Sequence, residues 1–310
     1  MLLLAMSLLA CKGPAPIDYE PVRFIAIGDT GEGNTTQHDV AAAMQTVCAD
    51  QGCDFVLLLG DNIYDVGVSG TDDPQWQEKF ELPYANLDMP FYAVLGNHDY
   101  AQLNDYEVAG HQVAYSAVSD KWNMPNRFYK FVEQNIGFYG LDTQGIQLGA
   151  EFMEVDLLAQ QQTWMDQELG PDQEDRSEWN IAFGHHPYLS NGEHGNAGSY
   201  DLLPEGTALS GAFIKEFVES KLCGKVDLYL SGHDHDREWF EADCEGTQFI
   251  VSGAGAKLRD FDEAQPTVYA DDQTAGFFWF EINDRDLRVQ AWDRNGVMNH
   301  EGGWSKAVED

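Results

Sequence analysis

Residues 55–64 read Phe55-Val56-Leu57-Leu58-Leu59-Gly60-Asp61-Asn62-Ile63-Tyr64, five apolar residues running straight into a glycine and a carboxylate. A continuous apolar run of that length is the pattern of a strand buried on both faces. The glycine lets the chain turn sharply as it leaves the strand and approach a ligand closely. Asp61 has two carboxylate oxygens and can bridge two metal ions. Tyr64 follows three residues later, where the turn can return its phenol to one of them. A phenolate is a hard anionic ligand that favours a trivalent ion, which points to iron(III). Asp65 is the nearest rival for that position, one residue out of step.

The same pattern recurs four times. Residues 22–27 precede Gly28-Asp29, 91–95 precede Gly96-Asn97, 181–183 precede Gly184-His185, and 228–231 precede Gly232-His233. Helical spacing of apolar residues marks 37–47, 158–169 and 209–222. Strands alternating with helices predict a largely parallel sheet whose carboxyl ends form a ligand crevice. Asp29, Asp61, Asn97, His185 and His233 then share one rim. Gly232-His233-Asp234-His235 adds a second imidazole, so that each histidine can serve one metal. Residues 248–251, 276–282 and 287–292 are further strand-like runs and predict a second sheet packed on the first. The expected fold is therefore α/β, two packed mixed β-sheets flanked by helices, in a single catalytic domain spanning 22–310.

The 310 residues carry 17 Lys+Arg against 53 Asp+Glu, a net charge of −36. So acidic a surface repels nucleic-acid backbones and anionic membrane faces, which excludes them as primary partners. Residues 1–10 are apolar or small, too few to span a bilayer, and end in Leu8-Leu9-Ala10-Cys11. That resembles a bacterial lipoprotein cleavage site, so 1–11 reads as a signal with Cys11 a possible lipid anchor, and 12–21 as a tether. The expectation is export, as a membrane-anchored lipoprotein, otherwise as a periplasmic or secreted protein. Four cysteines remain, Cys48, Cys53, Cys223 and Cys244. Sequence proximity suggests Cys48–Cys53 and Cys223–Cys244, although three pairings, and free buried thiols, stay open.

Taken in order, Gly28-Asp29-Thr30-Gly31, Gly60-Asp61-Asn62-Ile63-Tyr64, Gly96-Asn97-His98-Asp99, Gly184-His185-His186-Pro187 and Gly232-His233-Asp234-His235 resemble the signature of purple acid phosphatases. The similarity is to the small tartrate-resistant type within the calcineurin-like metallophosphoesterases, and runs from about Val22 to about Trp292. The resemblance implies that Asp29, Tyr64 and His235 bind iron(III). It implies that Asn97, His185 and His233 bind a divalent ion (Fe, Zn or Mn), with Asp61 bridging. His98 and His194, the latter in Gly192-Glu193-His194-Gly195, match histidines that contact phosphate and assist the leaving group. The implied activity is acid hydrolysis of small-molecule phosphate monoesters by a metal-bound hydroxide. A formal count leaves roughly one positive charge at such a site, enough to hold an anion on an acidic protein. His186 stands where the animal enzymes carry Tyr, and Thr30 replaces an aromatic. Two other functions are open on these residues: a phosphodiesterase or nucleotide hydrolase on the same metals, and a non-catalytic surface binding protein.

Overall fold

Phe24 shows how the fold is built. Its ring stacks 4.8 Å from Phe280 and 5.3 Å from Phe55 along one sheet, and meets Phe138 of a facing sheet edge-on at 5.3 Å. Aromatic rings from two inner faces thus fill one core, and truncating such a ring to alanine costs about 3–5 kcal/mol. The computed structural model describes residues 19–101, 104–152, 155–170, 173, 177–204, 206–262 and 265–307. The signal segment, Cys11 and all of the tether before residue 19 lie outside them.

In chain order the elements are β1 (Val22–Ile27), α1 (Thr35–Gln51), β2 (Phe55–Leu58), β3 (Phe91–Ala93), α2 (Tyr106–Tyr115), β4 (Trp122–Asn123), β5 (Tyr129–Glu133) and β6 (Ile136–Gly140). They continue with α3 (Thr143–Phe152), α4 (Leu157–Glu168), β7 (Trp179–Phe183), α5 (Ala212–Phe217), β8 (Leu228–Ser231) and β9 (Arg237–Phe240). The last are β10 (Gln248–Ser252), β11 (Thr267–Asp271), β12 (Gly276–Asn283), β13 (Asp286–Asp293) and β14 (Met298–Ser305). Among the described residues they form two seven-stranded sheets, ordered β14-β13-β12-β1-β2-β3-β4 and β11-β9-β10-β8-β7-β6-β5.

The expected two mixed sheets are present, but their membership differs from the sequence reading. The five metal-bearing strand ends do not share one sheet. β1, β2 and β3 run parallel in the first, whereas β7 and β8 run parallel in the second. The late strands divide as well. β10 joins β8 in the second sheet, while β12 pairs antiparallel with β1, Phe24 opposite Phe280, and carries β13 and β14 onto the first. Apolar runs record burial but not the neighbour that provides it, so sheet membership is invisible to periodicity. The expected helix over 209–222 is also broken. Gly211 adopts φ 75° against the Tyr200 ring, so a short 3₁₀ turn, α5 and a final π turn replace one continuous helix.

Helix α1 begins where Asn34 accepts the backbone N–H of Gln37 at 2.9 Å, and α4 where Asp156 accepts that of Ala159. Both suggested disulfides form, Cys48–Cys53 and Cys223–Cys244. No helix among the described residues is long and apolar enough to cross a membrane.

Candidate metal centre

The two sheets converge where β1 and β8 end. A Cβ on Gly28 would sit 3.3 Å from the Cα of Gly232, and one on Gly232 would sit 2.4 Å from Asp29 Oδ2, so the two strand ends are in close contact. Immediately beyond, Asp29, Asp61 and His233 take φ values of 59°, 49° and 73°. Left-handed backbone at residues other than glycine is strained, and this strain turns each side chain from its strand end into the shared rim. The loops are also locked to each other. The backbone N–H of His233 donates to Asp29 Oδ2 at 2.9 Å, and that of His98 donates to Asp61 Oδ1 at 2.9 Å.

The side chains gather into two groups. In the first, the Tyr64 hydroxyl donates to Asp29 Oδ1 at 2.9 Å and lies 3.2 Å from His235 Nε2, itself 3.4 Å from Asp29 Oδ1. In the second, His185 Nε2 lies 3.0 Å from Asn97 Oδ1 and 3.1 Å from His233 Nδ1. Asp61 stands between them, 3.5 Å from His185 Nε2. One donor atom each of Asp29, Asp61 and His185 fall within 4.8 Å of one another. The seven residues expected as metal ligands thus lie at one rim, with Asp29, Tyr64 and His235 in mutual contact and Asn97 and His233 in contact with His185. Asp65 is exposed, and only its backbone carbonyl enters the region, accepting from His98 Nδ1 at 2.7 Å.

The donor chemistry suits metal ions. His185 Nδ1 faces the Leu59 carbonyl at 2.9 Å, and a carbonyl only accepts, so Nδ1 holds the ring proton. The Nε2 lone pair then points at an amide oxygen, a carboxylate oxygen and a second imidazole nitrogen. With Nε2 unprotonated these acceptors face one another, an arrangement that a bound cation relieves. Carboxylate, amide, imidazole and phenol donors fit Fe, Zn or Mn. Burial, aided by the His194, His186 and His185 rings, holds His233 well below the ordinary imidazole range, which keeps it neutral and able to ligate. Burial, then the Asp29 and Asp61 carboxylates, push the Tyr64 phenol well above its usual value.

Asp99 is the hidden organiser. Fully buried, it accepts backbone N–H groups of Gly96 (2.9 Å), Asn62 (3.1 Å) and Ile63 (3.2 Å) and the Gln112 amide (2.6 Å). It thereby ties the Asp61–Tyr64 loop to the Asn97 loop. Burial, then Asp61, raise its carboxyl to about 6. His186 lies beneath the site, buried and 2.9 Å from Thr143 Oγ1, in a packing role.

The two expected proton donors differ in their surroundings. His98 lies at the edge, its Nε2 3.9 Å from Asp61 Oδ2. His194 stacks on His233 at 4.1 Å, with Nδ1 2.7 Å from Asp201 Oδ1 and Nε2 2.8 Å from Arg259 Nη1. Arg259 also pairs with Glu193 at 3.1 Å. Neither Arg259, Asp201 nor Lys257, which lies over Tyr64, stands out in the sequence. Lys257 and Arg259 lie in a loop and Asp201 in a 3₁₀ turn, all outside the repeated strand-glycine pattern.

Residues 22–237 match the calcineurin-like phosphoesterase family, more than half of the chain and the span that carries every strand-end donor. The chain belongs to that family. The calcineurin-like phosphoesterases are metal-dependent hydrolases, and two mixed sheets meeting at a metal rim are this chain's version of the fold. Human tartrate-resistant acid phosphatase type 5 is 28% identical over 89% of this chain and 88% of its own length. Purple acid phosphatase 3 of Arabidopsis thaliana is 29% identical over 93% of this chain and 78% of its own. Among solved structures, GAP50, the anchor in the inner membrane complex of Plasmodium, superposes with a TM-score of 0.73 at 21% identity. That match covers 93% of this chain and 90% of the other, and speaks for the fold alone.

Proposed function

We propose that the chain is an acid phosphatase that hydrolyses small phosphate monoesters at a dinuclear Fe(III)–M(II) centre. In this reading Asp29, Tyr64 and His235 hold iron(III), Asn97, His185 and His233 hold Fe, Zn or Mn, and Asp61 bridges. The observation that carries it is the division of donor atoms into two groups on either side of Asp61, with a phenol in only one. Kinship with enzymes named acid phosphatases supports the same reading.

Once bound, the metal pair supplies Lewis acidity to the phosphoryl oxygens and to the attacking water. The protein does the rest. His185 is held in one tautomer by Leu59, and Asp99 fixes the loops, so the donors are pre-organised before substrate arrives. His98 donates Nδ1–H to the Asp65 carbonyl, leaving Nε2 facing the site. In its protonated form Nε2–H passes a proton to the departing alkoxide. His194 is less suited to that step, because the Arg259 guanidinium donates to its Nε2. It orients Arg259 and packs on His233 instead. Residues 1–11 we propose as an export signal, a reading supported by two disulfides, which persist in oxidising compartments.

The test is hydrolysis of an aryl phosphate by Asn97→Ala, His233→Ala and His98→Ala. The first two should lose the divalent metal and turnover together. The third should keep both metals and lose turnover most for substrates with poor leaving groups. Unchanged turnover in all three sinks the proposal.

A further inference from the structure

Tyr64 has a cation on its ring face. Lys257 Nζ lies 3.7 Å from the ring centroid, at van der Waals contact. The ring also meets that of His98, at 4.6 Å in an edge arrangement. Lys257 is held in place from two directions. Its ammonium pairs with Glu32, and the backbone around it is pinned by Asn34 Nδ2 donating to Ala256 O at 3.1 Å and by Arg259 N–H donating to His235 O at 3.2 Å. The segment that bears Lys257 is thus fastened to the loop of His235, the residue that shares the Tyr64 hydroxyl.

The need for this cation follows from the charges around the phenol. A phenol binds a metal as phenolate, whose negative charge spreads over the ring. Here that oxygen is 2.9 Å from Asp29 Oδ1, so the ring sits beside a carboxylate and the Lys257 ammonium covers its face. A cation against the ring face offsets that negative charge through the π system, most effectively where water is excluded. Tyr64 is 2% exposed.

We propose that Lys257 acts through Tyr64 as a positioning residue for iron, stabilising the phenolate and setting both the ferric affinity of the site and the energy of phenolate-to-iron charge transfer. This rests on the reading that Tyr64 binds iron(III). A positive charge beside the electron donor lowers its orbital energy and so raises the transition energy. Removing the charge moves the band to longer wavelength.

The experiment compares wild type with Lys257→Met and Lys257→Arg, each loaded with ferric and divalent ions, by visible absorption and by competition against a chelator. The methionine variant should show a band at longer wavelength. Its ferric affinity should be lower by roughly fivefold to thirtyfold, the equivalent of a cation–π contact of ~1–2 kcal/mol. The arginine variant should lie close to wild type. Identical band position and affinity in wild type and Lys257→Met overturn the inference alone, provided the wild type is coloured. A colourless iron-loaded wild type overturns the tyrosine-iron reading and this inference with it. Far-UV circular dichroism shows whether Lys257→Met has folded, and Lys257→Gln carries the same test if it has not.

Discussion

Replacing Asp99 by alanine cuts the tie between the loops that carry Asp61, Tyr64 and Asn97. Its carboxylate accepts from the backbone of Gly96, Asn62 and Ile63 and from the Gln112 amide, four donors that alanine cannot serve. A buried donor left unpaired costs about 1–3 kcal/mol, so the lower bound for this set is about 4 kcal/mol. Part is returned, because burial and Asp61 already raise the carboxyl to about 6, and removing it relieves that burden at neutral pH. The net loss is expected to be about 2–4 kcal/mol, a large share of the stability of a typical domain. Asp99→Asn should fare little better. Gly96 N–H and the Asn62 amide face Oδ2, while Ile63 N–H and Gln112 face Oδ1, so an amide nitrogen meets donors on either side. Urea unfolding of metal-stripped protein reads the effect, and metal retention should fall in parallel. Wild-type unfolding midpoints in both variants would falsify the account of Asp99 as the tie between the loops.

Gly96→Ala places a Cβ 2.2 Å from Asp61 Oδ1, so metal content should drop although no ligand is altered, as read by elemental analysis. Joint replacement of Cys223 and Cys244 by alanine opens a link spanning 21 residues and should lower stability by ~3 kcal/mol in denaturant titration. Glu238, raised to about 7 chiefly by burial, holds its proton in the folded chain at pH values where the unfolded chain has released it. Stability should therefore fall as pH rises from the ordinary Glu value of 4.5 toward 7. Glu238→Gln keeps an acceptor for the Asn191 N–H, now 2.9 Å from Oε1, and should flatten that slope in unfolding measured across the window.

Much of the centre was legible because chemistry and backbone coincide there. A buried strand ending in glycine and a ligand is a local pattern, and five copies mark five donors without knowledge of their neighbours. Tyr64 and His235 followed from short offsets within the same loops. What the pattern lacks is any record of partners. Phe24 and Phe55 look alike whether Phe138 belongs to their sheet or faces it, so the split of donors between two sheets emerged only from the pairing. β14 leaves no strand signal, because its Gly302-Gly303 pair and polar residues lack apolar alternation, although β13 holds it in register. At Asp99 the sequence leaves an orienting role and a turn-forming one open, and its four donors decide for the first. Lys257 and Arg259 reach the rim from a loop far along the chain, where sequence spacing carries no signal.

The most direct test is metal analysis of the purified chain together with its visible spectrum. The account predicts a pair of metals per chain, one of them ferric, and a charge-transfer band that Tyr64→Phe removes. A colourless preparation holding only zinc and hydrolysing aryl phosphates at full rate would contradict it.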